Sequence, residues 1–385
     1  MANIVIRNGH VITPLERRLT DVYIVDGLVA ALGDDERVVK QALGLDPGEF
    51  SLVDASSCYV LPGLIDLQVN GGPACNLWEA PTDEDFSELR RFLLEAGVTS
   101  FLPTLISDHL EAIEKNIKFL KSQGAGNVDQ LGACVTLPRM PAIHLEGPCL
   151  SAKRPGVHPR EWIVPPSIEV FEKIVVDSVG LVTMASELDP TGACLDWLAK
   201  HDVLVSLGHS NATFEQAQQA FSRGVKLITH LFNAMPPLHH RDPGLAGAAL
   251  LDKRVSCCLI ADGLHLSPAV VDLVYRLKGA DKTILVTDIA HIGTTGGELV
   301  GSSITLDMAV RNIVDWNIAD LLKAVRMASF NPAEILGLGD RLGLIAPGYL
   351  ADLVLWDKKT LALKTVVLSG RVVHGSETTA VSSVS

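Results

Sequence analysis

Eight short apolar runs that alternate with helical patterns set the strongest limit on how this chain folds. The predicted strands cover residues 64–70, 98–105, 142–147, 181–187, 203–210, 227–233, 256–266 and 284–288. Helices are predicted near residues 83–96, 109–121, 168–178, 190–200, 213–223 and 269–278. Apolar strands alternating with helices are typical of a parallel sheet, and eight of them predict an α/β fold of the (β/α)8 barrel type. A doubly wound open sheet is the alternative, but polar residues mark the ends of most strands, which favours a ring.

The two ends of the chain have a different pattern. Residues 1–61 and 338–385 contain runs rich in Val and Ile, and Asn-Gly and Asp-Gly pairs separate runs near the start. Such runs and turns predict short β-strands. Because chain termini often lie close together, we expect both ends to pair into one small β domain beside a barrel over 62–337. Two independent hairpins that cap the barrel are the alternative.

Composition narrows the class of protein. The net charge is −13 and no basic stripe is present, which argues against nucleic-acid binding. The first residues lack the basic start and apolar core of a signal peptide, and no apolar run has transmembrane length. The seven cysteines are scattered without a Cys-x-x-Cys pair. We therefore expect a cytoplasmic protein with reduced thiols and no membrane partner.

Three of the polar residues that close apolar runs suit a metal site. Glu146 ends the third run, and His209 and His230 end the fifth and sixth. A spacing of 21 residues (230 − 209) allows one helix and one strand, so the two histidines would stand on adjacent strands. One carboxylate and two imidazoles suit zinc or ferrous iron with a position left open. The alternative for each histidine is an ordinary buried core residue.

Further polar residues near the same rim suggest chemistry. Asp288 ends the eighth run, where a carboxylate can take and return a proton, although a strand-end Asp can also simply cap a loop. His158 follows the third run and could polarise a carbonyl. Arg241 has the planar fork that suits phosphate, and His265 ends the seventh run. Histidine and arginine are common on protein surfaces, so the roles of His158, Arg241 and His265 remain open at this point.

The first strand carries Gln68 and Asn70 where many metal-dependent hydrolases of this architecture have His-x-His. Amides are poor zinc ligands beside imidazoles, so this pair predicts a site for one metal ion. Gln68 and Asn70 are then expected to hold water or substrate by hydrogen bonds.

Motifs along nearly the whole chain carry a resemblance to a known family. They are PGLIDLQVNGG (62–72), GVTSFLPTL (97–105), HLEGP (144–148), KRPGVH (153–158), SLGHSNAT (206–213), THLFNAM (229–235), HHRDPGLAG (239–247), IADGLH (260–265), LVTD (285–288), GSSITLDMAVRN (301–312) and ADLVLWD (351–357). With these motifs the chain resembles the N-acetylglucosamine-6-phosphate deacetylases of the amidohydrolase superfamily. The Gln-x-Asn pair on the first strand belongs to the same pattern.

The resemblance implies a fold and a set of roles. The fold is a (β/α)8 barrel with a small β-sandwich built from both termini, usually in a homodimer. The implied metal ligands are Glu146, His209 and His230, with Asp288 as general base and then acid and His158 against the N-acetyl carbonyl. The implied substrate-binding residues are Gln68, Asn70, Val157, His158, Asn233, Ala234, Arg241, Asp262, Gly263, Leu264, His265, Leu299, Val300 and Gly301. The arginine reaches across from the other subunit in some members.

The implied reaction is hydrolysis of N-acetyl-D-glucosamine 6-phosphate to D-glucosamine 6-phosphate and acetate, with one divalent metal, zinc or iron, in each subunit. The connection from Asp288 to Gly301 spans 13 residues (301 − 288) and is shorter than in the family, which predicts a different approach of residues 299–301 to the pocket. Two alternatives remain at this point. One is an amidohydrolase acting on another N-acyl amino sugar, and the other is an inactive barrel with a scaffold role.

Overall fold

A parallel barrel forms the centre of the molecule. The computed structural model describes residues 3–13, 16–35, 39, 41, 44, 50–79, 81–127, 135–291, 294–295, 298–375 and 379–380. Eight strands follow one another around a single parallel sheet in chain order. They are β1 (Leu64–Val69), β2 (Val98–Leu105), β3 (Ile143–Glu146), β4 (Val179–Met184), β5 (Leu204–Leu207), β6 (Leu227–Ile228), β7 (Ser256–Leu259) and β8 (Thr283–Leu285).

Helices pack around this sheet and shield its apolar strands. They are α1 (Asp83–Glu95), α2 (Leu110–Ser122), α3 (Ile168–Ile174), α4 (Ala193–Lys200), α5 (Phe214–Ser222), α6 (Gly244–Leu251), α7 (Pro268–Lys278), α8 (Leu306–Asp315), α9 (Leu321–Met327) and α10 (Phe330–Ile335). Thr82 starts α1 and Thr213 starts α5 with reciprocal capping boxes. None of the helices in the described part of the chain combines the length and apolar character needed to cross a bilayer.

The barrel closes between its first and last strands without a regular ladder in the described residues. The sheet path ends at β1 on one side and β8 on the other. At the carboxyl ends of these two strands, the Asp288 amide donates to the Gln68 carbonyl (3.0 Å) and the Asn70 amide donates to the Ile289 carbonyl (2.8 Å). We call this junction of β1 with residues 287–289 the seam. It lies at the carboxyl ends of the strands, where the polar residues gather.

Both ends of the chain join in a second, nine-stranded sheet. Its strands are Asn3–Ile12, Arg17–Val25, Leu28–Gly33, Phe50–Asp54, Cys58–Pro62, Leu353–Asp357, Leu363–Leu368, Arg371–Gly375 and Thr379–Ala380. Cys58–Pro62 pairs with Leu353–Asp357, so strands from the two termini are direct neighbours. This confirms the predicted barrel with a small β domain formed by both termini. The buried Arg139, beside β2, bonds Asp352 and Ser369 and so ties that sheet to the barrel.

Several predicted elements end earlier or later than expected. The run 227–233 forms only the two-residue β6, because His230 and Phe232 adopt left-handed backbone angles, with φ of 27° and 76°. β5, β7 and β8 likewise stop before the polar residues that follow them. α6 lies between the sixth and seventh strands, where no helix was predicted. Its sequence is apolar on all sides and seven of its eight residues are buried, so it has no amphipathic period to reveal it.

Candidate active site

Four polar side chains meet at the carboxyl ends of β3, β5, β6 and β8. Glu146 is the last residue of β3, whereas His209, His230 and Asp288 follow their strands by two or three residues. These last three have left-handed φ angles of 48°, 27° and 52°. Such angles are strained for residues with a Cβ atom and persist where the surroundings hold them. The strain turns each side chain off the strand direction at the rim.

Glu146, His209 and His230 form a compact and fully buried cluster. Their potential ligand atoms all lie within 4.8 Å of one another. The Oε1 atom of Glu146 lies 2.9 Å from Nε2 of His230 and 3.3 Å from Nε2 of His209, and the two imidazole nitrogens are 3.2 Å apart. The predicted neighbours are therefore brought together, with one carboxylate oxygen and two ring nitrogens converging on one point.

The hydrogen bonds of the cluster fit a cation. Nδ1 of His209 lies 3.1 Å from the Arg154 carbonyl, which can only accept, so Nδ1 carries the proton. Nε2 of His209 therefore presents a lone pair to the Glu146 carboxylate at 3.3 Å. A lone pair facing a carboxylate oxygen is unfavourable unless a positive charge lies between them. The donor set of one carboxylate and two imidazoles suits zinc or ferrous iron.

The carboxylate of Glu146 is kept ionised. Burial acts to raise its pKa, but the neighbouring side chains of His158, His209 and His230 outweigh burial and hold the pKa well below the usual value. Nε2 of Gln68 donates a further hydrogen bond to Oε1 of Glu146 at 2.9 Å. Gln68 thus orients the glutamate from the first strand.

Asp288 has the opposite electrostatic environment. Burial, and then the negative charge of Glu146, raise its pKa to about 6. Nδ2 of Asn70 donates to Oδ1 of Asp288 at 2.6 Å and partly offsets this rise. A carboxylate with a pKa near neutrality is suited to accept and return a proton. Asn70 therefore orients the aspartate, as Gln68 orients the glutamate.

His158 is held as a neutral imidazole with a defined tautomer. The Ser107 backbone amide donates to Nδ1 of His158 at 3.1 Å, so Nδ1 is an acceptor and Nε2 carries the hydrogen. Burial lowers the pKa of His158 to about 4, which keeps the ring neutral at physiological pH. Nε2 lies 3.7 Å from Oε2 of Glu146 and is a buried donor without a hydrogen-bond partner among the described residues. It is available to a ligand.

A cavity of about 160 Å³ opens onto these groups. The predicted residues that line it are Asn70, Glu146, Val157, His209, His230, Asn233, Ala234, His265, Asp288, Val300 and Gly301. Trp78, Ile106 and Gly156 also line it and were not predicted. For Trp78 a signal existed, because it follows β1 at the carboxyl side, where site residues of a barrel belong. Val300 and Gly301 arrive from a hairpin of Thr294–Thr295 and Glu298–Leu299.

Some predicted substrate contacts do not line this cavity, namely Gln68, His158, Arg241, Asp262, Gly263 and Leu264. Asp262 instead accepts a hydrogen bond from Nδ1 of His265 (2.6 Å), and Gly263 and the exposed Leu264 lie in the loop between them. Arg241 is exposed in the loop after β6. Asp262 thus acts on the cavity through His265, whose Nε2 remains for a ligand.

A second, larger cavity of about 610 Å³ lies at the opposite end of the barrel. Its lining includes Ala142, Val179 and Val203, which stand at or just before the amino ends of β3, β4 and β5. No predicted site residue reaches it. Catalytic groups of such barrels lie at the carboxyl ends of the strands, so the smaller cavity is the candidate active site.

Comparisons with known proteins agree with this site. The model of the Amidohydrolase family matches residues 59–373. The N-acetylglucosamine-6-phosphate deacetylase of Lysinibacillus sphaericus is 32% identical, with 96% of this chain and 97% of that protein covered. The crystal structure of the deacetylase from Thermotoga maritima matches with a TM-score of 0.82, 30% identity and coverage of 97% of this chain and 100% of that one.

A Mycobacterium smegmatis deacetylase variant, solved in complex with N-acetyl-D-glucosamine-6-phosphate, matches with a TM-score of 0.84 and 27% identity over 97% of this chain and 100% of that one. The family model spans most of the chain, and the relative from Lysinibacillus sphaericus exceeds 30% identity over nearly its full length. The chain therefore belongs to the amidohydrolase family and, within it, to the N-acetylglucosamine-6-phosphate deacetylases.

Proposed function

We propose that the protein hydrolyses the acetamide of N-acetyl-D-glucosamine 6-phosphate to acetate and D-glucosamine 6-phosphate. The observation that carries the proposal is the buried Glu146, His209 and His230 cluster beside Asp288, in a chain that belongs to the deacetylase family. The complex of the Mycobacterium smegmatis relative supports the choice of substrate.

One divalent metal ion, zinc or iron, is the proposed cofactor of each subunit. Glu146, His209 and His230 would hold it. Gln68 and Asn70 do not suit a second ion, because their amide groups already donate to Glu146 and Asp288. When bound, the ion polarises the substrate carbonyl and makes water a stronger acid.

Asp288 moves the proton in the proposed reaction. Its carboxylate takes a proton from the attacking water as the new C–O bond forms, and Asn70 holds the carboxylate in place through its hydrogen bond. When the C–N bond breaks, Asp288 returns the proton to the amine nitrogen. The products are then the amine and acetic acid, which ionises to acetate, and the Asp288 carboxylate is regenerated.

His158 stabilises the developing negative charge. Its Nε2 hydrogen is fixed by the Ser107 bond to Nδ1, and it is a buried donor beside the cluster. Donation to the acetyl oxygen favours the tetrahedral state, in which that oxygen carries more charge. A neutral ring can donate without losing a proton to the substrate.

The sugar phosphate is held by the remaining cavity residues. Val157, Asn233, Ala234, Val300 and Gly301 line the cavity and would contact the sugar. His265, oriented by Asp262, offers Nε2 to a polar group of the substrate. Gly263, Leu264 and Leu299 would contribute through the loops on either side of that pocket.

The phosphate is the proposed ligand of an arginine from a second subunit. Arg241 is exposed and lies outside its own cavity, so it is free to reach a neighbour's site. A homodimer in which the partner subunit's Arg241 completes each site accounts for both facts.

The domain division and the compartment complete the proposal. Residues 62–337 form the catalytic domain, and residues 1–61 and 338–385 form the smaller β domain.

The protein works in the cytoplasm, where thiols remain reduced. All six cysteines in the described part of the chain are free and buried, which agrees with a reducing compartment.

Acetate release by protein reconstituted with zinc or ferrous iron tests the function. The substrates should be N-acetylglucosamine 6-phosphate, unphosphorylated N-acetylglucosamine, and the 6-phosphates of N-acetylmannosamine and N-acetylgalactosamine. We expect the highest kcat/KM for the first. A higher value for another compound would assign a different N-acyl substrate, and no release by metal-loaded protein would indicate an inactive barrel.

A further inference from the structure

Asp66 is a buried carboxylate that the proposed mechanism does not use. It lies on β1, is fully buried, and does not line the active-site cavity. It accepts three hydrogen bonds: one from the Thr287 hydroxyl at 2.6 Å, and one each from the Thr287 and Gln68 backbone amides at 3.2 Å. Burial raises the pKa of Asp66 to about 7. Burying a carboxyl group costs free energy, so the presence of Asp66 at this buried position needs an explanation.

The bonds of Asp66 lie at the seam. No regular ladder joins β1 to β8 among the described residues, and the carboxyl group of Asp66 reaches from β1 to the residue before Asp288. The backbone bond from Asp288 to Gln68 is the next contact along the seam. The side chain of Asp66 therefore joins β1 to the segment after β8 by hydrogen bonds, as backbone hydrogen bonds join the other neighbouring strands.

The segment that Asp66 holds is the one that presents Asp288. Ser302 fixes the same segment from the other side, since its hydroxyl donates to the Thr287 carbonyl (2.5 Å) and its amide donates to the Asp288 carbonyl (2.9 Å). Asp288 itself has a left-handed φ of 52°, which must be stabilised by its neighbours. A shift of this segment would move its carboxylate relative to Asn70.

We infer that Asp66 is a positioning residue for the general base: by fixing Thr287 against β1, it sets where the Asp288 carboxylate lies. The inference rests on the proposed function of Asp288. It depends on hydrogen bonds and not on the charge of Asp66. An asparagine at position 66 could accept from both backbone amides and donate to the Thr287 hydroxyl. That hydroxyl could then donate to the Gln68 carbonyl, which lies 3.3 Å away.

The test compares D66A, D66N and T287V with the wild-type enzyme. We expect D66A and T287V to lower kcat by about tenfold or more, because a misplaced base reacts poorly, while KM and metal content stay within about twofold. D66N should recover most of the lost kcat. T287V keeps the volume of threonine and decides the question if D66A does not fold. The matched control is T99V, which removes a buried hydroxyl bonded to the Leu64 carbonyl (3.4 Å) at the other end of β1.

T99V should lower the melting temperature without changing kcat. Wild-type kcat in D66A or T287V would overturn the inference, and so would an equal loss of kcat in T99V at a similar melting temperature. A rise in KM or a loss of metal that accounts for the lower kcat would also overturn it. An inactive wild-type enzyme would instead refute the proposed function, so the two failures are distinguishable.

Discussion

Two buried carboxyl groups of the site have opposite proton affinities because their neighbours differ. Glu146 faces three imidazoles, which hold its pKa well below the usual value against the effect of burial. Burial and the negative charge of Glu146 raise the pKa of Asp288 to about 6, against the opposing effects of His230, Asn70 and His265. The group that stays ionised suits a metal ligand, and the group that titrates suits a base. The assignment of roles thus follows from environment.

Replacing Asp288 by asparagine tests its role. The amide cannot accept a proton, so kcat should fall by about 10²–10⁴-fold, the usual contribution of a general base. The metal content should remain at one ion per chain, because Asp288 is not among the three clustered residues that are the proposed ligands. Metal analysis of the purified variant separates the two effects. Turnover close to that of the wild type would remove Asp288 from the mechanism.

The pH dependence of kcat/KM follows from the raised pKa of Asp288. The base form exists above the pKa, so activity should be lost as the pH falls through it. A bound cation favours the ionised carboxylate and lowers the pKa, which places the acid limb at or below about pH 6. N70A should move this limb upward, because the Asn70 hydrogen bond lowers the pKa. A limb that is unchanged in N70A would contradict the assignment.

The main residues of the candidate site were predictable from the sequence, since polar residues that end parallel apolar strands lie at one rim of a barrel. Glu146, His209, His230 and Asp288 were predicted in this way, and the structure brings them together. The tautomer of His158 could not be predicted, because it depends on a bond from Ser107, 51 residues away. Trp78 was missed because it belongs to no recognised motif.

At the scale of the element, the tight packing of strand ends positions the proposed metal ligands. Gly208 precedes His209, and a Cβ atom on it would lie 2.8 Å from atoms of both Thr183 and Thr229. Contacts below 3.0 Å force a shift of the backbone or the neighbours. The glycine therefore allows the end of β5 to lie close to β4 and β6 immediately before His209, a proposed ligand.

G208A should weaken metal binding by about tenfold or more, the usual effect of disturbing groups that orient a ligand. Competition with a chromogenic chelator measures this affinity without reference to turnover. G180A is the matched control, because its Cβ atom would lie 2.6 Å from the Cβ of Ala142, near the amino end of β4. G180A should lose stability and keep its metal affinity. Equal metal affinities in the two variants would show that Gly208 does not position His209.

The order of the elements was predictable, because each barrel strand has its own apolar run. The residues at which the strands end were less predictable. β6 is short because residues 230 and 232 leave the extended region, which no local pattern indicates. The short connection after β8 still forms a hairpin that delivers Val300 and Gly301 to the cavity. α6 escaped prediction because burial on all sides erases the amphipathic pattern.

At the scale of the whole molecule, a homodimer would place an arginine in each site from across the interface. R241A and D288N should each be inactive or nearly so as homodimers, the first through weak substrate binding and the second through loss of the base. A mixed dimer of R241A and D288N has one complete site, in which the R241A subunit supplies Asp288 and the D288N subunit supplies Arg241. Its other site lacks both residues. Equal mixing after subunit exchange should then restore about a quarter of wild-type activity.

Acetate release before and after exchange measures this recovery. The control is a mixture of D288N with itself, which should stay inactive. No recovery, in a mixture shown to exchange subunits, would mean that Arg241 acts within its own chain or not at all.

The seam affects the order in which parts of the enzyme can fold during synthesis. The hydrogen bond between Asp66 and Thr287 joins residues that are 221 positions apart in sequence. During synthesis, domains form as the chain emerges, yet this contact cannot form until nearly all of the barrel has left the ribosome. Closing so long a stretch of chain is also entropically costly. The three proposed metal ligands lie at or before residue 230, so all of them are synthesised before the proposed base, Asp288, and before the contact that we infer positions it.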